Sequence, residues 1–454
     1  MAAMGLIDEN EKRLARLCVE SSLAEGASAV RVTLGKTVQN SISILNSEID
    51  RISCNVDRSV SVCIFAGGSY GQFSTNSLEE DALRAFIREA VVNVRLLAPD
   101  PCRMLPERQS KAAGCSRGDE LGLYDASFDA LDQEERLRMA LEAARKPSPT
   151  NGDYVVEAVE AEYSDSCDDE YMTDSDGFEG RHIETAFGFC TEATVKDSKG
   201  NRYSGYWWNS SPMLSALDIS GVTSDAILRA AGKLCPGPIK SGRYGIVVDP
   251  CCSSRLVSPI IRALSAESIQ QNNSFLKDSL GMKVFPEQLT ITDMAVEKGR
   301  PGSRLYDSEG TATANRPIID RGTVLTCFTN SYMAAKTGME HTVDNVSRAC
   351  MEPFIWNCRK KEINLKDIIS SMREGVYVTG FNGGNCNEAT GDFSFGIEGM
   401  LFRDGQLLHP ISEVVMTGNM LQLWNTLAAV GSDPRKCSGW QIPSLAFRDV
   451  ELDA

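Results

Sequence analysis

The sequence is poor in histidine. Its 454 residues include only His182, His341 and His409, and no two of these are close enough to share a helix face. The spacing H-E-x-x-H, which places two zinc ligands on one helix, is absent. A zinc site could still be assembled from distant residues, but this composition argues against a zinc hydrolase. We expect a surface position or a hydrogen-bonded structural role for each His.

Long hydrophobic runs are missing as well. No apolar segment approaches the roughly 20 residues that a membrane-spanning helix needs. Residues 1–20 become charged almost at once and contain no hydrophobic signal-peptide core. The 15 Cys are an odd number, lie scattered along the chain and include no C-x-x-C pair. We therefore expect a cytoplasmic protein whose thiols are reduced and mostly pack as small core residues.

Runs rich in Lys and Arg are also absent. The 46 basic residues are outnumbered by 62 acidic ones, which gives a formal net charge of −16. Because affinity for nucleic acids and anionic membranes depends on clustered positive charge, direct binding to either is disfavoured.

What the sequence does contain is the alternation of helical and β-rich segments that indicates an α+β fold. We predict an N-terminal α/β domain at residues 1–110, a middle α/β domain at 119–236 and a β-rich C-terminal domain with a few helices at 237–454. Pro-rich and Gly-rich breaks near residues 99–118 and 235–242 separate them. The predicted helices are residues 10–26, 78–97 with Ser77 as N-cap, 132–144, 224–234, 253–271, 365–373 and 420–430. The predicted strands are residues 29–34, 40–45, 60–65, 154–163, 183–195, 203–208 and 244–250.

Residues 373–419 form the most strongly patterned stretch. Short β-rich runs at 376–379, 396–402 and 411–417 alternate with Gly, Asn and Asp. Since Gly is favoured where the backbone turns tightly or another chain passes close by, we predict a buried, tightly turned sheet here. Upstream, the helical run 253–271 carries one apolar stripe and is interrupted by Pro259. That proline either opens the helix with Ser258 as its cap or kinks a longer helix.

Two local motifs are candidates for chemistry, and each has a simpler explanation. The G-x-S-x-G match at Gly114–Gly118 follows a polar linker, whereas a nucleophile elbow needs a preceding buried strand. The acidic segment around Asp174 lacks carboxylates at the first and last positions of a calcium loop. We interpret residues 165–179 as a solvated acidic loop, with a weak divalent-cation site as the less favoured reading. The acids concerned are Asp165, Asp168, Asp169, Glu170, Asp174 and Asp176.

Two further features involve Gly-rich turns. Asp307–Gly310 and Thr390–Asp392 each place acids beside a Gly turn and are candidates for general acid–base chemistry. Asp in such turns usually hydrogen-bonds its own backbone, so we interpret them as structural. The segments Gly67–Gly71 and Gly380–Asn385 match no phosphate-binding motif and are interpreted as hairpin turns. The residues alone therefore assign no catalytic residue, no cofactor-binding residue and no metal ligand.

Many short motifs follow one another along the chain in a specific order. They are Glu25–Thr75, Leu123–Trp208, Ser274–Leu276, Gly281, Leu289–Ile291, an acidic D-x-E-G turn at Asp307–Gly310, Gly375–Val378, Asn385, Thr390–Ser394, Gly396, Gly399, Pro410, Glu413 and Thr417–Asn419. Their order resembles the TldD/PmbA family, and within it the PmbA (TldE) branch, over nearly the whole chain.

The resemblance implies a difference at the family's zinc site. The TldD branch carries H-E-x-x-x-H on the helix that corresponds to residues 253–271, and a metal-binding Cys near the C-terminus. In the matching register Ser258 and Pro259 replace the H-E pair, Ala263 replaces the second His, and Cys437 lies near the Cys ligand without the other ligands. The resemblance therefore implies that this chain holds no zinc and that zinc is expected only in a TldD-like partner.

The function implied is that of a PmbA/TldE-like subunit of a zinc metallopeptidase complex. We expect such a subunit not to be catalytic by itself. It would form a homodimer or a heterodimer and help degrade unfolded peptides or process precursor peptides. Two alternatives stay open: a self-standing hydrolase with an unrecognised site, and a non-enzymatic interaction protein that modulates DNA gyrase indirectly.

Overall fold

The computed structural model describes residues 6–145, 154–355 and 362–454. The first two predicted domains share one antiparallel sheet of six strands. Its strands are β1 Ala29–Leu45, β2 Glu48–Ala66, β3 Ser69–Thr75, β4 Tyr154–Asp174, β5 Glu179–Asp197 and β6 Arg202–Ser211. They are ordered β3-β2-β1-β4-β5-β6, so β1 of the first predicted domain pairs directly with β4 of the second.

Helices cover this sheet. They are α1 Glu9–Ala24, α2 Glu80–Val94, α3 Ser127–Ala130, α4 Gln133–Ala143 and α5 Val222–Ala231. A capping box between Asp8 and Glu11 opens α1, because a side-chain acceptor is needed for the first free amides of a helix. The prediction of Ser77 as the cap of α2 is wrong, since α2 begins at Glu80 and no side chain caps it.

The strands are longer than their hydrophobic runs predicted. Residues 29–34 and 40–45 belong to one strand, because the polar segment between them is hydrogen-bonded on both sides, to β2 and to β4. The predicted solvated acidic loop at 165–179 is also wrong. Residues 165–174 of this segment are part of β4, and Asp165, Asp169 and Asp174 are buried there. Their charges are balanced by Arg136, Arg181 and Lys111 respectively, so the segment is packed structure and not a calcium loop.

The C-terminal part is built around a ring of strands. The strands of the C-terminal part, inside and outside this ring, are β7 Gly242–Val248, β8 Ile291–Asp293, β9 Arg316–Asp320, β10 Thr323–Val324, β11 Ala349–Met351, β12 Phe354–Ile355, β13 Glu374–Cys386, β14 Asp392–Arg403, β15 Gln406–Asn419, β16 Leu427–Val430 and β17 Leu445–Asp453. Its helices are α6 Ser254–Ala263, α7 Ala266–Gln270, α8 Ser331–Thr337, α9 Leu365–Ser371 and α10 Met420–Asn425. Strand β7 pairs with both β13 and β17, so the pairing β7-β13-β14-β15-β17 returns to β7.

The Gly-rich stretch 373–419 supplies three neighbouring strands of this ring, as predicted. One detail differs, because Gly380–Asn385 lies within β13 and not in a hairpin turn. Its register against β14 shifts twice there, which marks two bulges. The predicted helix 420–430 is wrong in its second half, where β16 pairs with β17 and β12. The α+β class predicted from the sequence is confirmed.

None of the helices in the described ranges has both the length and the hydropathy that crossing a bilayer requires.

Candidate functional site

Helix α6 is positioned by the turn that links it to β7. Asp249 directly follows β7, and its backbone amide donates to the carbonyl oxygen of Val378 at 2.9 Å. Its own carbonyl accepts from the amides of Cys252 and Ser253, and its carboxylate accepts from the amide of Cys251 at 2.8 Å. Asp249 therefore fixes the start of α6 against the strand ring. Because α6 begins at Ser254, the alternative in which Pro259 opens the helix is wrong.

One face of α6 lines an open groove of about 860 Å³. From the helix it receives Ser254, Arg255 and Ser258; residues 381–383 and 438–442 supply the opposite walls. Arg255 spans the groove, because its Nη2 donates to the carbonyl oxygen of Gly384 at 2.6 Å and its guanidinium lies 5.2 Å from the ring centre of Phe395. The opposite face of α6 packs into the C-terminal core.

The α6 face of the groove offers no zinc ligands. In the register implied by the family resemblance, Ser258 lines the groove, while Pro259 and Ala263 are buried in the core. Cys437 lines a neighbouring cavity, where its Sγ lies 3.3 Å from Nη2 of Arg435. Two serine hydroxyls and a guanidinium are not a zinc donor set. Across the described ranges, no three His, Cys, Asp or Glu side chains are grouped closely enough to hold a metal ion.

A second cavity of about 700 Å³ adjoins the groove at Cys251 and Cys252, which line both. It lies between the six-stranded sheet and the strand ring. Its aromatic wall is Trp207 and Trp208, and the guanidinium of Arg229 lies 4.3 Å from the ring centre of Trp207. Arg435 stacks on both rings, at 4.0 and 4.4 Å. Arginine over indole is a strong cation–π arrangement, so this wall is both apolar and positively charged.

Asp249 is the charged group shared by the turn and this cavity. Burial by itself would raise the pKa of its carboxyl, but Arg229 and the hydrogen bonds from Tyr377 and Cys251 outweigh burial and lower that pKa. Nη2 of Arg229 donates at 2.8 Å and the hydroxyl of Tyr377 also donates to the same carboxylate. Asp249 is thus a compensated anion whose lone pairs are engaged, and a poor general base.

The thiol beside Asp249 is a poor nucleophile. Burial and the negative charge of Asp249 raise the pKa of Cys251 to about 12. Since the thiolate is the reactive form of Cys, a thiol with that pKa is almost entirely protonated at neutral pH. The site can hold and orient a bound chain through its hydroxyls, its Arg side chains and its aromatic wall, but it lacks an acid–base pair.

The three His residues and the G-x-S-x-G segment, which the sequence analysis considered for chemistry, do not line the groove or the adjoining cavity. His182 is buried on β5 with its Nε2 3.4 Å from Glu184, His341 lies beside Thr311, and Nδ1 of His409 is 3.1 Å from the carbonyl oxygen of Pro410. The G-x-S-x-G segment runs beside β5, where the carbonyl of Cys115 accepts from the amide of Arg181 at 2.7 Å. It does not connect a strand to a helix, so it forms no nucleophile elbow.

Of the two Asp residues at Gly turns, Asp307 hydrogen-bonds its own turn backbone as predicted, whereas the prediction is wrong for Asp392, whose carboxylate accepts from side chains. Asp307 accepts from the amides of Glu309 and Thr311, both at 2.9 Å. Asp392 accepts from the side chains of Thr390 and Asn419, which hold the start of β14 against the end of β15.

The sequence patterns gave no indication of Arg229, Trp207 and Arg435, because these residues meet only through the tertiary fold. Asp249 could have been found, since it stands between a buried strand and a helix, where side chains often line binding sites.

Three family models match this chain. The PmbA/TldA metallopeptidase domain 1 model matches residues 30–94, the central domain model matches 126–234, and the C-terminal domain model matches 241–453.

Individual relatives agree with these matches. A solved protein from Bacteroides thetaiotaomicron, described as a modulator of DNA gyrase, is 36% identical, with a TM-score of 0.93 over 99% of this chain and 100% of its own. The metalloprotease PmbA of Escherichia coli O157:H7 is 23% identical over 454 residues, which cover 95% of this chain and 93% of the relative. TldE from Thermococcus kodakarensis, 19% identical with a TM-score of 0.79 over 98% of this chain and 100% of its own, shares the fold.

Proposed function

Because this chain belongs to the PmbA/TldD metallopeptidase family, we propose that it is a PmbA/TldE-like subunit that performs no zinc chemistry itself. It forms part of the substrate chamber of a complex whose zinc is held by a TldD-like partner. The observation that carries this proposal is the groove face of α6, which presents Ser254, Arg255 and Ser258 and no His or carboxylate.

The groove and the adjoining cavity are suited to an extended peptide. Together they offer hydrogen-bonding groups on α6 and an aromatic, positively charged wall at Trp207 and Trp208. An extended chain is held mainly through its backbone groups, with pockets for alternate side chains, so unfolded or precursor peptides of varied sequence can be accepted. In this proposal the complex acts in the cytoplasm, where the thiols stay reduced.

A self-standing hydrolase is less well supported. Cys251 is protonated and Asp249 is engaged with Arg229 and Tyr377, so neither provides a base or a nucleophile. A protein that acts on DNA gyrase only through an interaction would use the net charge of −16 to attract a basic surface. No particular surface of the described residues favours that reading over the first.

The first test separates the two subunits. The purified chain, a TldD-like partner that carries H-E-x-x-x-H and an equimolar mixture are compared for zinc by mass spectrometry and for cleavage of unfolded casein. We expect zinc in proportion to the partner alone, no cleavage by this chain, and the highest cleavage rate in the mixture. Stoichiometric zinc in the isolated chain together with cleavage would refute the proposal.

A second test addresses the groove. Arg255→Ala removes the guanidinium that spans it, so the KM of the mixture should rise by roughly threefold to tenfold through lost substrate binding. Arg262→Ala is the matched control, because Arg262 lies on the same helix and pairs with Glu388 at the surface. An equal effect of both variants would contradict a role of the groove in binding.

A further inference from the structure

A side pocket of about 470 Å³ opens beside the groove of α6. The two adjoin each other, because Cys437 lines the side pocket and the next residue, Ser438, lines the groove. The opposite wall of the side pocket is formed by residues 209–213, at the end of β6 and in the turn that follows it. A peptide chain that lies in the groove can therefore extend into the side pocket.

Arg435 lines this side pocket with a guanidinium that lacks a counter-ion. Its Nη2 donates to the carbonyl oxygen of Trp208 and lies 3.3 Å from Sγ of Cys437, and its Nη1 lies 3.8 Å from Sγ of Cys251. Among the described residues, its buried Nε has no acceptor and no carboxylate lies within ion-pair distance of the group. Because sulfur is a weak acceptor, much of the hydrogen-bonding capacity of this cation is unused.

Other shielded guanidinium groups of this chain are paired with carboxylates. The pairs are Arg136 with Asp165, Arg181 with Asp169 and Arg229 with Asp249, at 2.6, 2.6 and 2.8 Å. Removing a cation from water without such a partner is costly. The stacking of Arg435 on two indole rings offsets only part of that cost. This arrangement is typical of a site that an anion from outside the chain completes.

The loop that carries Arg435 is held in place before any ligand binds. The amide of Ser438 and Nε2 of Gln441 donate to the carbonyl oxygen of Arg435, at 3.0 and 3.1 Å. The hydroxyl of Ser210 on β6 donates to the carbonyl oxygen of Cys437 at 3.2 Å. Because the guanidinium is already oriented by this loop and by the stacked rings, it loses little freedom when it binds a carboxylate.

The remaining charges leave the side pocket positive. Arg300 and Lys436 also line it, and Arg300 approaches Glu297 at 3.5 Å. Among the described residues, the one acid in the lining is Asp218, whose carboxylate already accepts from the amide and the hydroxyl of Ser220. With the guanidinium described above, three basic side chains face one acid, in a chain whose net charge is −16.

We propose that the side pocket is a carboxylate subsite for the bound peptide, and that Arg435 is the residue that recognises the carboxylate. An arginine fork binds a carboxylate through two parallel hydrogen bonds, which adds specificity as well as affinity. The carboxylate belongs either to the C-terminus of the peptide or to an Asp or Glu side chain, and the chemistry of recognition is the same. This inference rests on the proposed peptide-binding role of the groove and names a preferred substrate class within it.

The test uses octapeptides of Gly, Ser, Ala and Val that carry one central Glu, or Gln in its place, each with a free or an amidated C-terminus. All carry tetramethylrhodamine at the N-terminus, and fluorescence anisotropy gives the Kd of each for the purified chain. We expect wild type to bind roughly tenfold more tightly when the recognised carboxylate is present. A loss of affinity on exchange of Glu for Gln identifies a side-chain carboxylate, and a loss on amidation identifies the C-terminus.

Two substitutions of Arg435 separate recognition from folding. Arg435→Met removes the fork, so the ratio of the two Kd values should fall to about one. Arg435→Lys keeps the charge without the fork and should retain only part of the preference. Arg262→Met is the matched control, because it removes one positive charge from the exposed surface of α6 and should leave the preference unchanged. The melting temperature of each variant checks that it is folded.

The inference is overturned if wild type binds acidic and neutral peptides equally, or if the preference survives both substitutions of Arg435. The proposed function is unaffected by either result, since peptides still bind. The same peptides are also tested as competitors of casein cleavage by the equimolar mixture with a TldD-like subunit. If they neither bind the chain nor compete, the carboxylate subsite is refuted, whereas the proposed function is judged separately by whether the mixture cleaves casein.

Discussion

Asp249 and Asp307 are both buried acids, yet their pKa values are displaced in opposite directions. Burial raises the pKa of each carboxyl, but beside Asp249 the guanidinium of Arg229 more than offsets burial. Among the residues that the structure describes, no cationic side chain pairs with Asp307. Burial and the nearby negative charge of Asp344 raise its pKa to about 6, although three backbone amides donate to it. The sign of each displacement is thus set by the neighbouring charge.

The raised pKa of Asp307 predicts a pH-dependent loss of stability. Its folded-state pKa exceeds the unfolded value, so its contribution is fully present below about pH 4 and is lost as pH rises through about 6. Asp344→Asn removes the like charge. The free energy of unfolding of this variant should therefore exceed that of wild type by up to about 1 kcal/mol at pH 7 and should equal it at pH 4. Urea unfolding at both pH values measures the difference. A gain that is equal at both would contradict the electrostatic cause.

Among the elements, β4 shows how a strand can bury acids by pairing them with Arg and Lys. Its carboxylates alternate, so that Asp169 faces the interior and Asp168 faces solvent. Asp169 accepts from Nε and Nη2 of Arg181 at 2.9 and 2.6 Å and from the amide of Ile7 at 2.8 Å. This bidentate contact gives both carboxylate oxygens a hydrogen bond and pairs the two opposite charges.

Asp169→Asn should destabilise the protein by roughly 2–4 kcal/mol, because it leaves the guanidinium of Arg181 buried without its counter-charge. Asp168→Asn, one residue away on the exposed face, should change the free energy of unfolding by no more than about 0.5 kcal/mol. Chemical denaturation of the two variants gives the comparison. Similar losses in both would mean that the alternation of the strand does not govern stability.

The same strand explains where sequence reasoning succeeded and failed. Apolar alternation correctly located segments such as Val60–Phe65, because one buried face leaves a period of two. It missed residues 165–174, since three of their buried positions are acids whose ion-pair partners lie outside the strand. It also assigned residues 427–430 to a helix, where pairing with β17 imposes a strand. The absence of clustered His could be seen in the sequence. The cavity lined by Trp207 and Arg229 could not be predicted, because it forms only where the six-stranded sheet contacts the strand ring.

In the whole molecule, the contact between the six-stranded sheet with its helices and the strand ring includes a buried ion pair. Arg229 on α5 reaches Asp249 at the start of the α6 turn, and their side chains are only 25% and 5% exposed. A few residues away, Lys233 and Glu398 span the same boundary at 2.8 Å but are 32% and 31% exposed. The two pairs therefore have similar geometry and different burial, which allows burial to be tested separately.

Arg229→Met should destabilise the protein by roughly 2–4 kcal/mol at pH 7, since Asp249 becomes a buried charge without its partner. The pKa of Asp249 is lowered in the folded wild type, so the stabilising contribution of this pair is lost as pH falls through that value. The deficit of the variant should accordingly shrink in acid. Lys233→Met, as the control, should cost no more than about 1 kcal/mol. Equal deficits, or a deficit independent of pH, would count against this role of Arg229.

The pairing of β1 with β4 has a consequence for synthesis on the ribosome. Residue 31 pairs with residue 174 and residue 45 with residue 160, so the nascent chain must leave the inner side of β1 unpaired until β4 has emerged. An incomplete sheet edge recruits strands from other chains. We therefore expect fragments that end before residue 154 to aggregate or to bind chaperones, while the chain that includes β5 and β6 folds productively.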